Sequence, residues 1–81
     1  MRVEFGSKAF KFLSKMDEVN KKKVFNKIKK LEENPFPKGF KKLKGEKDAF
    51  RIKVGAFRIL YKIIKEDKVI LIFKIDKRSI G

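Results

Sequence analysis

Basic side chains recur at alternate positions over residues 51–62, with a spacing that could bind a phosphate. Arg51 and Lys53 lie two residues apart, and Arg58 and Lys62 follow in the next segment. In an extended chain, residues two apart project from the same face. Arg can hold a phosphate through two parallel hydrogen bonds, whereas Lys approaches it as a point charge. We therefore predict a phosphate-binding surface, with a solvated charged face as the alternative.

Further basic residues extend this surface. The chain has four Arg, and three of them, Arg51, Arg58 and Arg78, fall in the proposed cluster, which is informative in so lysine-rich a sequence. Asp76 lies close to Arg78 in sequence and could form an ion pair with Arg58, which is the structural alternative to a functional role for that Arg. The other basic candidates for contact with the phosphates of a polyanion are Lys41, Lys42, Lys44, Lys62, Lys74 and Lys77.

The whole chain is strongly basic. It has 24 Lys and Arg against 10 Asp and Glu, which gives a formal net charge of +14. Such a charge attracts polyanions at long range, so the candidate partners are nucleic acid, an acidic membrane or an acidic protein. A lysine-rich, thermophile-like composition would explain the lysines but not the shortage of acidic residues. Charge alone leaves these three classes of partner open.

Composition excludes several kinds of chemistry. The chain has no Cys and no His, so disulfides, thiolate metal sites and thiol nucleophiles are excluded, and the usual acid–base residue is absent. We expect no metal and no cofactor. No apolar run approaches the roughly 18 residues of a membrane-spanning helix, and the N-terminus does not resemble a signal peptide. We expect a soluble cytoplasmic protein that does not bind membranes.

The chain is predicted to form one domain over residues 1–81 that begins with a strand and two helices. Alternation over Met1–Phe5 predicts the strand. Ser7 is expected to cap the first helix and Asp17 the second. The second helix should end near Glu33, because a Pro follows two residues later. The positions expected to face the core are Ala9, Phe12, Leu13 and Met16 in the first helix and Val24, Phe25, Ile28 and Leu31 in the second.

The remainder of the chain is predicted to be a loop followed by three strands. Residues 35–47 hold two Pro, two Gly and a basic run, which favours a loop. Alternating strands follow over 50–54 and 57–63, joined by a two-residue turn at Gly55 and Ala56. Val69–Ile75 is apolar on both faces, as in a central strand. The predicted fold is α+β: a strand, a two-helix hairpin and a three-stranded antiparallel meander, with both helices on one face of a small sheet.

The spacing of most aromatic residues within the predicted helices and strands puts them on the side that faces the core. This is expected, since a small domain needs large apolar groups in its core. These residues are Phe5, Phe10, Phe12, Phe25, Phe50, Phe57 and Phe73. Tyr61 has the same phase, and its hydroxyl is expected to reach a local partner. Phe36 and Phe40, in the loop, are the better candidates for contact with a partner molecule.

Three segments of the chain share a pattern with a known family. They are Lys42-Leu43-Lys44-Gly45, the stretch Phe50-Arg51-Ile52-Lys53-Val54-Gly55-Ala56-Phe57-Arg58-Ile59-Leu60-Tyr61, and Lys77-Arg78. This resembles the K-L-x-G loop, the aromatic-R-I-x-V-G-x-[YF]-R-[VIL]-x-Y hairpin and the late [HK]-R pair of the RelE/ParE toxin superfamily, and the chain is most similar to archaeal RelE-type members. The superfamily includes ribosome-dependent mRNA endonucleases, and also ParE proteins that poison DNA gyrase without cutting RNA.

For the nuclease branch, the resemblance implies the toxin of a type II toxin–antitoxin system. The ribose 2′-hydroxyl attacks the adjacent phosphate, and cations act where ordinary ribonucleases use His. Matched by position, the implied catalytic residues are Arg51, Lys53, Arg58 and Arg78. Arg58 and Arg78 would stabilise the charge of the phosphorane, while Arg51 and Lys53 would position and activate the 2′-hydroxyl.

Two positions depart from the nuclease pattern. Arg51 stands where Lys is common, and Arg cannot act as a base because it stays protonated. Lys53 could act as one, since neighbouring cations lower the pKa of a Lys. Many nuclease members also carry a catalytic Tyr a few residues after the late Arg, and residues 79–81 contain none.

The resemblance also implies partners. They are mRNA on the ribosome and a RelB-like antitoxin that wraps the toxin in a hetero-oligomer. Two alternatives remain open: a ParE-like gyrase inhibitor with no chemistry of its own, and a basic module that only binds nucleic acid.

Overall fold

Two helices and a five-stranded mixed sheet make up the computed structural model, which describes residues 1–78. The elements are β1 (Arg2–Phe5), α1 (Ser7–Ser14), α2 (Glu18–Glu33), β2 (Lys41–Lys42), β3 (Ala49–Val54), β4 (Phe57–Ile64) and β5 (Val69–Lys77). The strand order is β1-β5-β4-β3-β2. The first strand runs parallel to β5, and the other pairs are antiparallel. Within residues 1–78, no helix is long and apolar enough to cross a membrane.

The predicted α+β fold is confirmed, and the sheet is larger than the meander alone. Strands β3, β4 and β5 form the expected antiparallel meander, and β5 is interior. The first strand reaches β5 because the two helices provide the crossover that a parallel pair requires. The short β2 lies within the segment that was expected to be a loop, and it pairs with β3 at the edge of the sheet.

Both helices pack on the same face of the sheet and bury the core there. From the helices, Ala9, Leu13, Val24, Ile28 and Leu31 join the core, and from the strands Phe50, Ile52, Ile59, Tyr61, Ile63, Ile70, Ile72 and Ile75. Phe10 and Phe25 were predicted to be buried but are 59% and 45% exposed. Phe25 follows the buried Val24 in sequence, so it lies about 100° around the helix from the apolar stripe. Its ring lies 5.9 Å from the Lys29 ammonium.

The two predicted helix caps have different outcomes. Asp17 caps α2 as expected, because its carboxylate accepts a hydrogen bond from the Asn20 N–H at 3.1 Å. The prediction for Ser7 is wrong, since the N-cap of α1 is Gly6 and Ser7 is the first helical residue. The Gly6 N–H still donates to the Ile72 carbonyl oxygen of β5, while its own carbonyl accepts from the Phe10 N–H. The helix therefore starts at the residue where the strand pairing ends.

A β-bulge in β5 determines which side chains face away from the helices. Leu60 pairs with Lys74 and Tyr61 with Ile72, so Phe73 is an extra residue in β5. Strict alternation from Ile72 would put Lys74 in the helix-facing core. The bulge shifts the phase by one residue, so that Ile75 is buried and Lys74 lies on the open face.

Candidate phosphate-binding site

The open face of the sheet carries two neighbouring rows of charged side chains. One row runs from Lys53 in β3 through Arg58 in β4 to Asp76 in β5. Directly paired residues on one face have Cβ atoms about 4.5–5.5 Å apart. The adjacent row consists of Lys41, Arg51, Leu60 and Lys74. Together with Arg78, the charged residues of these rows form a surface that we name the cationic face.

Arg58 and Asp76 form a two-point ion pair at the centre of this face. The Nε of Arg58 donates to Asp76 Oδ1 at 3.0 Å, and Nη2 donates to Oδ2 at 2.9 Å. The Lys74 ammonium lies 3.9 Å from the same Oδ2. The hydrogen bonds from Arg58, and then the charge of Asp76, raise the pKa of the guanidinium. The structural alternative raised for Arg58 is thus present, and Asp76 is part of the cluster.

Arg78 is held beside the hairpin turn by its main chain. Its N–H donates to the Ala56 carbonyl oxygen at 2.7 Å, which continues the pairing of β4 and β5 past the end of β5. The turn itself depends on Gly55, whose φ of 57° is in the left-handed region that favours glycine. Anchored in this way, Arg78 is close enough for its charge to act on Lys53.

The amine of Lys53 is subject to the positive charges of several other residues of the cationic face. The pKa of its amine is lowered, first by the guanidinium of Arg78 and then by partial desolvation. The charges of Arg51, Lys41 and Arg58 lower it further, in that order. Each cation disfavours the addition of another positive charge at Lys53. The neutral form of Lys53 is therefore easier to reach than that of an isolated Lys, whereas a guanidinium does not give up its proton in proteins.

The remaining basic candidates divide between the two sides of the sheet. Lys41 and Lys74 belong to the cationic face, and Lys62 lies farther along the same side, paired with Ala49 and Leu71. Lys42 pairs with Phe50 and Lys77 with Phe57, so both fall in the helix-facing register. Lys44 is exposed in the loop after β2.

The loop before β2 is anchored by aromatic side chains on the helix side. The Tyr61 hydroxyl donates to the Pro35 carbonyl oxygen at 2.6 Å, and burial raises the pKa of Tyr61 to about 12. The rings of Phe36 and Phe40 lie 5.2 and 5.8 Å from that of Phe50. These contacts set the position at which Lys41 enters the sheet. The loop aromatics therefore have a structural role, and they remain partly exposed.

We expect Tyr61→Phe to lower the free energy of unfolding by about 0.5–1.5 kcal/mol, because the partly buried Pro35 carbonyl loses its donor. For a domain of this size, each kcal/mol corresponds to roughly 4–8 °C in Tm. Ser14→Ala is a matched control: its hydroxyl also donates to a main-chain carbonyl, that of Lys11 at 2.9 Å, but at an exposed helix end. Calorimetry should show a clearly smaller change for the control. Equal Tm values for wild type and Tyr61→Phe would contradict the anchoring role.

The chain is similar to known toxins in both sequence and fold. The family described as the ParE toxin of type II toxin–antitoxin systems, parDE, matches residues 3–80. A Methanocaldococcus jannaschii protein named as toxin RelE1 is 35% identical over 80 residues, covering 95% of this chain and 89% of that protein. The crystal structure of isolated Escherichia coli RelE toxin has a TM-score of 0.88 at 23% identity, covering 99% of this chain and 86% of that one. A chain of the archaeal RelE–RelB complex from Pyrococcus horikoshii has a TM-score of 0.85 at 27% identity and covers 99% and 97%.

Proposed function

Because the chain belongs to the RelE/ParE superfamily of type II toxin–antitoxin toxins, we propose that it is an endoribonuclease that cleaves mRNA on the ribosome and so inhibits translation. The observation that carries the proposal is the convergence of Arg51, Lys53, Arg58 and Arg78 on one open face. Like charges in neighbouring positions repel one another. Their grouping is favourable when a phosphate binds among them.

In the proposed reaction, the RNA supplies its own nucleophile. Neutral Lys53 takes the proton of a ribose 2′-hydroxyl, and the 2′-oxygen forms a bond to the adjacent phosphorus. The bond from phosphorus to the 5′-oxygen breaks, and that oxygen takes a proton from a water molecule, which leaves a cyclic phosphate and a free 5′-hydroxyl. The hydroxide that remains accepts the proton held by Lys53, and the amine is neutral again. Arg58 and Arg78 stabilise the negative charge that grows on the phosphate oxygens, and Arg51 positions the ribose.

Two assays on one preparation test the function. Translating ribosomes with a defined mRNA should give fragments ending in a cyclic phosphate, while the supercoiling activity of DNA gyrase should be unaffected. The second candidate function is that of a ParE-like gyrase inhibitor, which is favoured by the description of the matching family. Loss of supercoiling with intact mRNA would select this second function and reject the first.

The proposed partner is an acidic, RelB-like antitoxin. The P. horikoshii relative is a RelE–RelB complex, and a net charge of +14 favours fast association with an oppositely charged protein. Co-expression with the short acidic product of a neighbouring gene should raise the yield, give a stable complex and block cleavage. Failure to isolate a complex with such a product would count against this partner.

Binding of single-stranded RNA should weaken steeply as salt is added. A single strand loses about 0.7 units of log K per unit of log salt for each phosphate contact. Arg58 and Arg78, the two cations that the proposed reaction places on the phosphate, should by themselves give a slope of about −1.4, and every further phosphate contact makes it steeper. Fluorescence anisotropy between low and moderate salt measures it. Lys8→Gln, on the helix side, should leave the slope nearly unchanged, whereas a wild-type affinity insensitive to salt would contradict phosphate binding.

A further inference from the structure

We propose that Asp76 is a positioning residue that holds Arg58 by one edge of its guanidinium and leaves a second edge free for the scissile phosphate. This inference rests on the phosphate chemistry proposed above for the cationic face. It gives a role to the one carboxylate that lies within the two charged rows, where a surface built only to attract anions would carry none.

The geometry of the ion pair supports this division of the guanidinium. Its five N–H groups point outwards from a rigid plane. Asp76 accepts one from Nε and one from Nη2. Among residues 1–78, no hydrogen-bond acceptor is found for the Nη1 group or for the second N–H of Nη2. The edge formed by Nη1 and Nη2 can therefore donate two parallel hydrogen bonds to a phosphate while Asp76 keeps its own contacts.

The fold places Asp76 for this contact. Asp76 is the direct cross-strand partner of Arg58, and it reaches the open face only because of the bulge at Phe73. The Asp76 side chain is 21% exposed, and the Lys74 ammonium lies 3.9 Å from its Oδ2. Both residues of the ion pair thus belong to interior strands rather than to loops.

Fixing the guanidinium in advance has a physical consequence. A free Arg side chain samples many rotamers, and ordering it on binding opposes the reaction. An ion pair along the Nε edge removes most of that freedom before the RNA arrives. A misplacement of about 1 Å can lower a rate by about 10²-fold, so the pair should affect the rate more than the affinity.

The opposite role for Asp76 would be to occupy the place of the phosphate. A carboxylate that must be displaced lowers both affinity and rate, so its removal would raise both. A carboxylate that positions Arg58 raises the rate, while its negative charge makes RNA binding slightly weaker. The two roles therefore predict rate changes of opposite sign when the charge of Asp76 is removed.

The test compares Asp76→Asn and Asp76→Ala with the control Glu4→Gln. Glu4 accepts hydrogen bonds from Arg2 on the same sheet, at the far strand β1. On ribosomes at saturating toxin, we expect cleavage to fall about 10-fold to 10²-fold for Asp76→Asn and further for Asp76→Ala. RNA affinity should stay equal or increase, and Glu4→Gln should match wild type. An increase in both rate and affinity would overturn positioning, as would a lower Tm with an unchanged rate per folded molecule.

A second measurement needs no cleavage, so it separates this inference from the proposed function. The Arg58 Nε–H resonance is followed by ¹⁵N NMR while a 2′-O-methylated single-stranded RNA, which cannot be cleaved, is added. We expect the Nε–H signal to stay in place while the Nη signals shift, and to broaden in Asp76→Asn before any RNA is added. Even if the wild type cuts no mRNA, this signal still shows whether Asp76 keeps its contact with Arg58 when RNA binds. An Nε–H signal that moves with the RNA titration would show that phosphate displaces Asp76 and would overturn the proposal.

Discussion

Arg58→Ala is expected to lower the rate of mRNA cleavage by about 10²–10³-fold while leaving the protein folded, as for the loss of other transition-state hydrogen-bond donors. Arg58 lies in β4, which is paired on both sides, so its main chain is fixed by β3 and β5. Its guanidinium occupies the middle of the row that joins Lys53 to Asp76. Arg58→Lys should also lose much of the rate, since Lys keeps the charge but not the planar fork.

Stability measurements separate catalysis from structure at Arg58. The ion pair with Asp76 is partly exposed, with side-chain accessibilities of 34% and 21%, and such pairs contribute about 0–1 kcal/mol. Lys74 remains near Asp76 after the substitution. Tm should therefore change by only a few degrees. Arg2→Ala removes the other Arg–carboxylate pair of the sheet and should leave cleavage unchanged. An Arg58→Ala protein that is clearly destabilised yet fully active per folded molecule would reject the catalytic role.

Part of the site could be predicted because local rules are sufficient there. A two-residue turn at Gly55 and Ala56 pairs the residues on either side of it in fixed order, so Lys53 must face Arg58. Regular alternation then puts Arg51 on the same side of the sheet. No contact from distant parts of the chain is needed for this result, which is why the sequence predicts it.

At the far end of β5 strict alternation fails, although the predicted alternative of an Arg58–Asp76 ion pair already required Asp76 on the open face. Ile70 and Ile72 have a period of two, but the next buried residue is Ile75, three positions later. That change in spacing is the sequence signal of the bulge, and it moves Asp76 to the open face. The two-residue strand β2 has no such signal, because two residues are too few for a periodicity. Its position depends on the aromatic anchoring of the preceding loop.

Lys53 is expected to give cleavage its pH dependence. A general base must be neutral, so below the pKa of Lys53 the rate should rise about tenfold per pH unit and level off above that pKa. Neighbouring cations, Arg78 first, lower this pKa below its ordinary value of 10.5. The plateau should therefore begin at a lower pH than an isolated Lys would allow. Single-turnover cleavage on ribosomes, measured at several pH values, gives the profile.

Substitutions at Lys53 separate its charge from its basicity. Lys53→Arg keeps the positive charge but cannot accept a proton at any accessible pH. We expect RNA affinity close to that of wild type, a rate lower by about 10²–10⁴-fold, and no rise of the rate with pH. Lys8→Arg on α1 is the matched control and should keep the wild-type profile. Because Arg78 is the largest influence on Lys53, Arg78→Gln should move the rise to higher pH, whatever its effect on the maximal rate. A Lys53→Arg enzyme that retains both the rate and the pH dependence of wild type would show that another group removes the proton and that Lys53 acts only as a charge.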